Sequence, residues 1–179
     1  KTPANSFHIP ALKQLFPRSR FIHILRDGRD VAVSAFRHRE RIQQEASQGQ
    51  SNLDINAETP QLLSKWAGFT KAVRRAESGG IPVHTVRYEA MLSDGVASLR
   101  GCVDHLLPGN GISDNQLRTA VDANSFQALS GGREPGTIDA GSNLRRGQAG
   151  GWRDELAGDV ADRFNPEDRE LLEQLGYTA

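Results

Sequence analysis

Two clusters of arginine carry the chemistry this sequence can offer. The first is Arg26-Asp27-Gly28-Arg29-Asp30, with Ser34 eight residues after Arg26. Ahead of it, Phe21-Ile22-His23-Ile24-Leu25 is an apolar run of strand length, the composition of a strand buried on both faces. Behind it, Val31, Val33, Ala35 and Phe36 open a helix that should run to about Gln44. A strand end followed by a helix start turns free backbone N–H groups toward an anion. Gly28 allows a tight turn, Arg26 suits a bidentate contact to phosphate, and Ser34, about two helical turns on, brings a hydroxyl that can face the same anion. The same pattern also fits a polar strand–helix turn with Asp–Arg pairs at the surface. The second cluster is Leu144-Arg145-Arg146-Gly147-Gln148-Ala149-Gly150-Gly151-Trp152. Adjacent arginines in a Gly-rich loop make a flexible cationic clamp, and Trp152 would anchor it by packing. Read alone, it fits a solvated basic loop better, since isolated basic pairs are common.

The elements that must position these clusters alternate. Ile9 to Phe16 reads as a short helix stopped by Pro17. Glu58 to Ala76 is amphipathic, with Leu62, Leu63, Trp66, Phe69 and Val73 on its apolar face, so Trp66 is a core residue. Ile81 to Val86 reads as a second strand, with Arg87-Tyr88-Glu89 at its C-terminal end. Val96 to Leu107 and Ser113 to Val121 are helices. Residues 124–151 are polar and Gly-rich, a long irregular segment of the kind that is functional or disordered. Asn165-Pro166-Glu167-Asp168 is a helix start, with an Asn cap, Pro at the first position and acids in the first turn. Alternation of strands and helices predicts an α/β domain with a parallel sheet. In such sheets ligands bind beyond the carboxyl ends of the strands, where Arg26 and Tyr88 fall.

Composition narrows the function classes. The 179 residues suffice for one domain with a core. Lys+Arg and Asp+Glu both number 22, so bulk charge gives no attraction to nucleic acid or anionic membrane. With only two tyrosines, a basic aromatic-lined groove for nucleic acid is not expected either. No apolar run reaches the roughly 18 residues of a membrane span. The single cysteine, Cys102, forms no internal disulfide and no four-ligand metal site, and it is compatible with a reducing cytoplasm. No metal ligand set is expected. His23 and His84 fall within strands, in packed or hydrogen-bonded roles, and His38 and His105 fall on helices.

Together the clusters resemble the sulfotransferases that use 3′-phosphoadenosine-5′-phosphosulfate (PAPS). The run Phe21 to Ser34 is similar to their 3′-phosphate-binding motif, with Arg at the strand end and Ser eight positions later. Arg145-Arg146-Gly147 followed by Gly151-Trp152 resembles their second signature, usually Arg-Lys-Gly with a nearby Gly-Asp-Trp. Here Arg146 stands for the usual Lys and Gly151 for the usual Asp. Arg87-Tyr88-Glu89 resembles the family's Tyr-Glu element after a strand, and Lys1-Thr2-Pro3 its Lys-Thr-Pro element.

The resemblance implies a P-loop-NTPase-like parallel sheet flanked by helices, incomplete at the N-terminus, with residues 1–179 a single partial domain and 124–151 a segment covering the cofactor. It implies that Arg26, Ser34, Arg145, Arg146 and Gly147 bind the 3′-phosphate of PAPS or of the product adenosine 3′,5′-bisphosphate (PAP), that Tyr88 contacts the adenosine, and that Lys1 is catalytic at the sulfuryl group. The acceptor would be a small molecule, glycan or peptide bearing a hydroxyl or amine. The family's phosphosulfate-binding loop and catalytic base have no counterpart in the sequence. The chain opens without an initiator Met, so the numbering is expected to begin within a longer protein. A non-catalytic PAP-binding module is the alternative.

Overall fold

The computed structural model describes residues 2–142 and 144–178. In chain order it contains a 3-10 helix Pro3–His8, α1 (Ile9–Leu15), β1 (Phe21–Leu25), α2 (Gly28–Ala46), α3 (Ile55–Ser78), β2 (Val83–Arg87), α4 (Tyr88–Ser93), α5 (Gly95–Leu106), α6 (Asp114–Ala123) and α7 (Phe126–Leu129). Two 3-10 helices, Gly151–Asp154 and Val160–Arg163, then lead to α8 (Pro166–Gln174). It is an α/β chain with helices and a parallel sheet, in two compact units. One comprises Lys1–Arg26 and Phe69–Glu134, the other Asp27–Gly68 and Pro135–Ala179.

The first unit holds the sheet. β1 and β2 pair in parallel, from Phe21 opposite Val83 to Leu25 opposite Arg87. A core of Ile9, Val73 and Ala76 lies against Phe21, Ile81 and Val83, so α1 and the end of α3 pack on the strands. The buried-strand expectation holds at Leu25, but Ile24 is 52% exposed, because among the described residues β1 has only β2 beside it. His23 Nδ1 lies 3.3 Å from Thr85 Oγ1 on the neighbouring strand. Burial lowers the His23 pKa, against an opposing pull from Glu77. His84 stacks on His105 of α5, with ring centroids 5.7 Å apart. Both strand histidines are therefore packed, and His38 and His105 sit on helices as expected. Burial pushes the Cys102 thiol up, which keeps it protonated.

The second strand, expected over Ile81 to Val86, starts two residues later and ends one later, at Arg87, and Tyr88 directly starts the six-residue helix α4. Asp94 then caps α5 by accepting the Ala97 N–H. Ser113 and Gln116 form a reciprocal capping box at α6, satisfying two of the four N–H groups left open at that helix start. The irregular segment 124–151 contains one turn of helix, α7, capped by the Ser125 hydroxyl on the Ala128 N–H. The remaining described residues before Gly151, which opens a 3-10 helix, are turns and loop.

The second unit is helical. α8 starts as its sequence demands: Asn165 Oδ1 accepts the Glu167 N–H at 2.9 Å and Pro166 takes the first helical position. Gly176, at φ 78°, stops it in the left-handed conformation that favours glycine. Buried Asp168 accepts a hydrogen bond from Ser64 Oγ, tying α8 to α3. Trp66 is buried, as its place on the apolar face of α3 requires.

Gly28 corrects one expectation. Its backbone is not left-handed, so the turn does not need a glycine. Close packing does: a Cβ at 28 would stand 2.5 Å from Trp66 Cε3 and 2.7 Å from Leu63 Cδ1. The start of α2 thus rests directly on the Trp66 indole. Gly28→Ala is expected to destabilise the chain by about 1–3 kcal/mol through overpacking, read as a fall in the denaturation midpoint. Gly158→Ala is the control, because a Cβ there meets nothing within 4 Å. Equal midpoints for the two variants would refute the contact.

Candidate functional site

In the first unit the register of the sheet sets the site. Leu25 and Arg87 are partners at the last rung, so the next residues, Arg26 and Tyr88, leave the two strands side by side. The Arg26 guanidinium carbon lies 4.5 Å from the Tyr88 ring centroid. This cation–π contact fixes the direction of a half-buried arginine while its positive charge is kept. The predicted pair of cofactor residues in this unit is therefore brought together.

In the second unit the three charged residues after Arg26 are structural. Asp27 Oδ1 accepts the Arg29 N–H and caps α2. Its carboxylate also meets the Arg29 side chain in a fork, with Nε at 3.0 Å and Nη2 at 2.8 Å. The Arg29 guanidinium stacks 3.9 Å from the Trp152 ring centroid and donates to the Thr178 carbonyl at 2.9 Å. Asp30, only 3% exposed, accepts the Gly150 N–H at 2.7 Å and the Trp152 N–H at 3.0 Å. The Gly-rich loop is thus moored to the first turn of α2, with Trp152 as its anchor. Sequence reasoning treated Asp27, Arg29 and Asp30 as turn residues. Only the cap position of Asp27 carried a local signal.

Ser34 lies on the exposed side of α2, its hydroxyl at the surface of this unit. Gly147 adopts φ 64°, a conformation that favours glycine between the arginines and the anchor. Arg145 Nη2 donates to Glu155 Oε1 and Arg146 Nη2 to Asp154. Arg146 Nη1 also donates to the Gly151 carbonyl at 3.3 Å. Arg37, one turn after Ser34, donates from Nε to Glu155 Oε2 at 2.8 Å and from Nη1 to Glu40 at 2.8 Å. Burial alone would raise the Glu155 pKa, but the hydrogen bonds from Arg145 and Arg37 outweigh it and hold the carboxyl below its ordinary range. Glu155 was missed from the sequence, where nothing marks it apart from other acids near arginines. Lys1 lies outside the described residues. Among the described residues no group of three or more His, Cys, Asp or Glu side chains could hold a metal ion. No described helix is long and apolar enough to cross a membrane.

A family model described as "Sulfotransferase family" matches residues 1–107, more than half of the chain. The chain belongs to the sulfotransferase family. The matched span contains Arg26, Ser34 and Tyr88 and ends before Arg145. Among solved structures, mouse sulfotransferase SULT7A1 complexed with PAP is similar to this sulfotransferase chain at 20% identity, with a TM-score of 0.54. That likeness covers 93% of this chain and 59% of the mouse chain, and it shows the sulfotransferase, P-loop-like fold. The chain spans less than two thirds of the length of the structure it matches. No curated protein matches it by sequence.

Two expected outcomes follow from the geometry of this sulfotransferase. Asp30→Ala removes the acceptor of two loop N–H groups. Charge-assisted bonds contribute about 1.5–3 kcal/mol each, so limited proteolysis should cut within 135–151 markedly faster than in the wild type. Unchanged cleavage would show that the loop is held by other contacts. For Glu155 the sign follows from its depressed pKa. The unfolded carboxyl holds its proton to a higher pH than the folded one, so the stabilisation is complete above the ordinary carboxylate range and is lost as pH falls through the folded value. The melting-temperature gap between wild type and Glu155→Gln should accordingly be widest near neutral pH and close on acidification. A gap independent of pH would contradict the assignment.

Proposed function

We propose that this chain is part of a PAPS-dependent sulfotransferase, contributing contacts to the 3′-phosphate and adenosine of PAPS and of the product PAP. The observation that carries this is the pairing of Arg26 with Tyr88 at the ends of adjacent parallel strands, inside the span that matches the family. The donor chemistry fits a phosphate. Arg26 offers a charged fork, Ser34 an exposed hydroxyl, Arg145 and Arg146 two further guanidinium groups, and Gly147 a backbone shaped for close approach. Tyr88 offers a ring to the adenosine. Binding of PAP by the mouse relative supports the same nucleotide for this chain.

PAPS would supply the sulfuryl group, passed to a hydroxyl or amine of a small-molecule, glycan or peptide acceptor. The residues here would contribute positioning and electrostatic stabilisation, the main requirements of such a transfer. Lys1, from its Lys-Thr-Pro element, is proposed to neutralise charge at the transferring group. Residues 124–151 are proposed to cover the nucleotide, with both units parts of one sulfotransferase domain. A cytoplasmic setting is also proposed, where a reducing environment suits the lone Cys102 thiol.

Calorimetric titration with PAP tests the proposal, with adenosine 5′-monophosphate and Arg26→Ala as controls. PAP should bind more tightly than the monophosphate. Loss of Arg26 should weaken PAP binding about ten- to hundredfold, the value of a charge-assisted contact of roughly 1.5–3 kcal/mol. A folded chain that does not distinguish the two nucleotides would overturn it.

A further inference from the structure

The arginines proposed to meet phosphate are themselves held by a carboxylate that the proposal leaves without a role. Glu155 directly follows the 3-10 helix Gly151–Asp154, and its side chain is 9% exposed. One oxygen accepts from Arg145 and lies 3.8 Å from Arg146 Nη1, and the other accepts from Arg37 at 2.8 Å. A single buried anion therefore meets guanidinium groups from two separate stretches of chain, the Gly-rich loop and α2. Asp154 differs: it holds Arg146 from a side chain 63% exposed, where an ion pair is weak and readily exchanged.

Charge alone does not explain the arrangement. Arg37, Arg145 and Arg146 face Glu40, Asp154 and Glu155, three against three, so the cluster is formally neutral. Its value to an anion must lie in orientation. A free arginine side chain has many rotamers, and fixing them before a ligand arrives lowers the entropic cost of binding. Glu155 does this from the buried side. Its own charge is locally balanced by the two guanidinium groups bonded to it, and without it Arg37 and Arg145 would repel each other. Ser34, the exposed hydroxyl donor, sits one turn before Arg37 on α2.

We infer that Glu155 is the positioning residue of the anion-binding loop, holding Arg145 against Arg37 of α2 so that the Arg145-Arg146-Gly147 run is ordered toward a 3′-phosphate before it binds. The inference rests on the nucleotide proposal above. It concerns a residue that acts through Arg145 and touches no substrate.

The test is calorimetric titration of PAP and of adenosine 5′-monophosphate into the wild-type chain, Glu155→Gln, Glu155→Asp, Arg145→Ala and the Glu155→Gln/Arg145→Ala double variant, each confirmed folded by its melting transition. Glu155→Gln should weaken PAP binding about tenfold, the lower range for one charge-assisted contact, and change monophosphate binding less than about twofold. Glu155→Asp should recover part of the loss, and it carries the comparison if Glu155→Gln does not fold. The double variant should bind PAP no more weakly than Arg145→Ala alone, because the two residues act as one unit. Tighter or unchanged PAP binding by Glu155→Gln would overturn the inference alone. So would additive losses in the double variant, or equal weakening toward both nucleotides. A folded wild type that binds no PAP would overturn the nucleotide proposal and this inference together.

Discussion

Asp30 is a buried carboxylate in the first turn of α2, and both of its oxygens are committed to backbone N–H groups of Gly150 and Trp152. Much of the second unit follows from that placement. The N-terminal end of a helix favours negative charge, so the carboxylate is stable there. Its acceptors fix the backbone on both sides of Gly151, which fixes where the Trp152 ring lies. The Arg29 guanidinium then stacks on that ring, and Asp27 holds Arg29 while capping the helix. From this anchor the loop runs back to Arg145 and Arg146 and forward to Glu155. Within the second unit, Asp27, Arg29 and Asp30 and the Gly-rich loop are thus one construction, moored on a few charge-assisted bonds.

In the first unit the governing constraint is register. Parallel strands in step from Phe21 and Val83 deliver Arg26 and Tyr88 at the same level. A shift of one residue would turn one of the two side chains to the opposite face and abolish the pairing. The apolar residues beneath, Ile9, Val73 and Ala76 against Phe21, Ile81 and Val83, hold that register. The Arg26–Tyr88 contact at the end of the strands therefore depends on ordinary packing along them.

What the sequence disclosed, and what it hid, follows from the range of each interaction. β1 matched its apolar run residue for residue, and α8 began at its Asn-Pro signal, because these are set by neighbours in the chain. The helix α4 escaped notice because six residues after a strand give too short a period to read. The reason for Gly28 escaped because it lies in Trp66 and Leu63, on another helix. Asp30 and the loop it holds are 120 residues apart, and no spacing rule joins them. Arg145 and Arg146, like Arg26 and Ser34, stood out as local clusters, and the family resemblance added the role proposed for them. Their supports, Asp30 and Glu155, act through three-dimensional contacts that no local pattern encodes.

Two residues of the run that resembles the family's second signature fit one another in the structure. By that resemblance Arg146 would stand where Lys is usual, and Gly151 where Asp is usual. The Arg146 guanidinium reaches the Gly151 carbonyl and Asp154 and approaches Glu155, three acceptors spread across a planar fork. A lysine ammonium is a single point of charge and could not span them in the same way. That fork needs room beside residue 151: a Cβ there would lie 3.0 Å from Arg146 Nη1 and 3.4 Å from its Cδ and Cζ. Any side chain at 151 would press on the guanidinium. The Arg146 guanidinium and the missing side chain at 151 are therefore complementary in shape. Asp154, three residues after Gly151, supplies the carboxylate on the other arm of the fork, accepting from Arg146 Nη2.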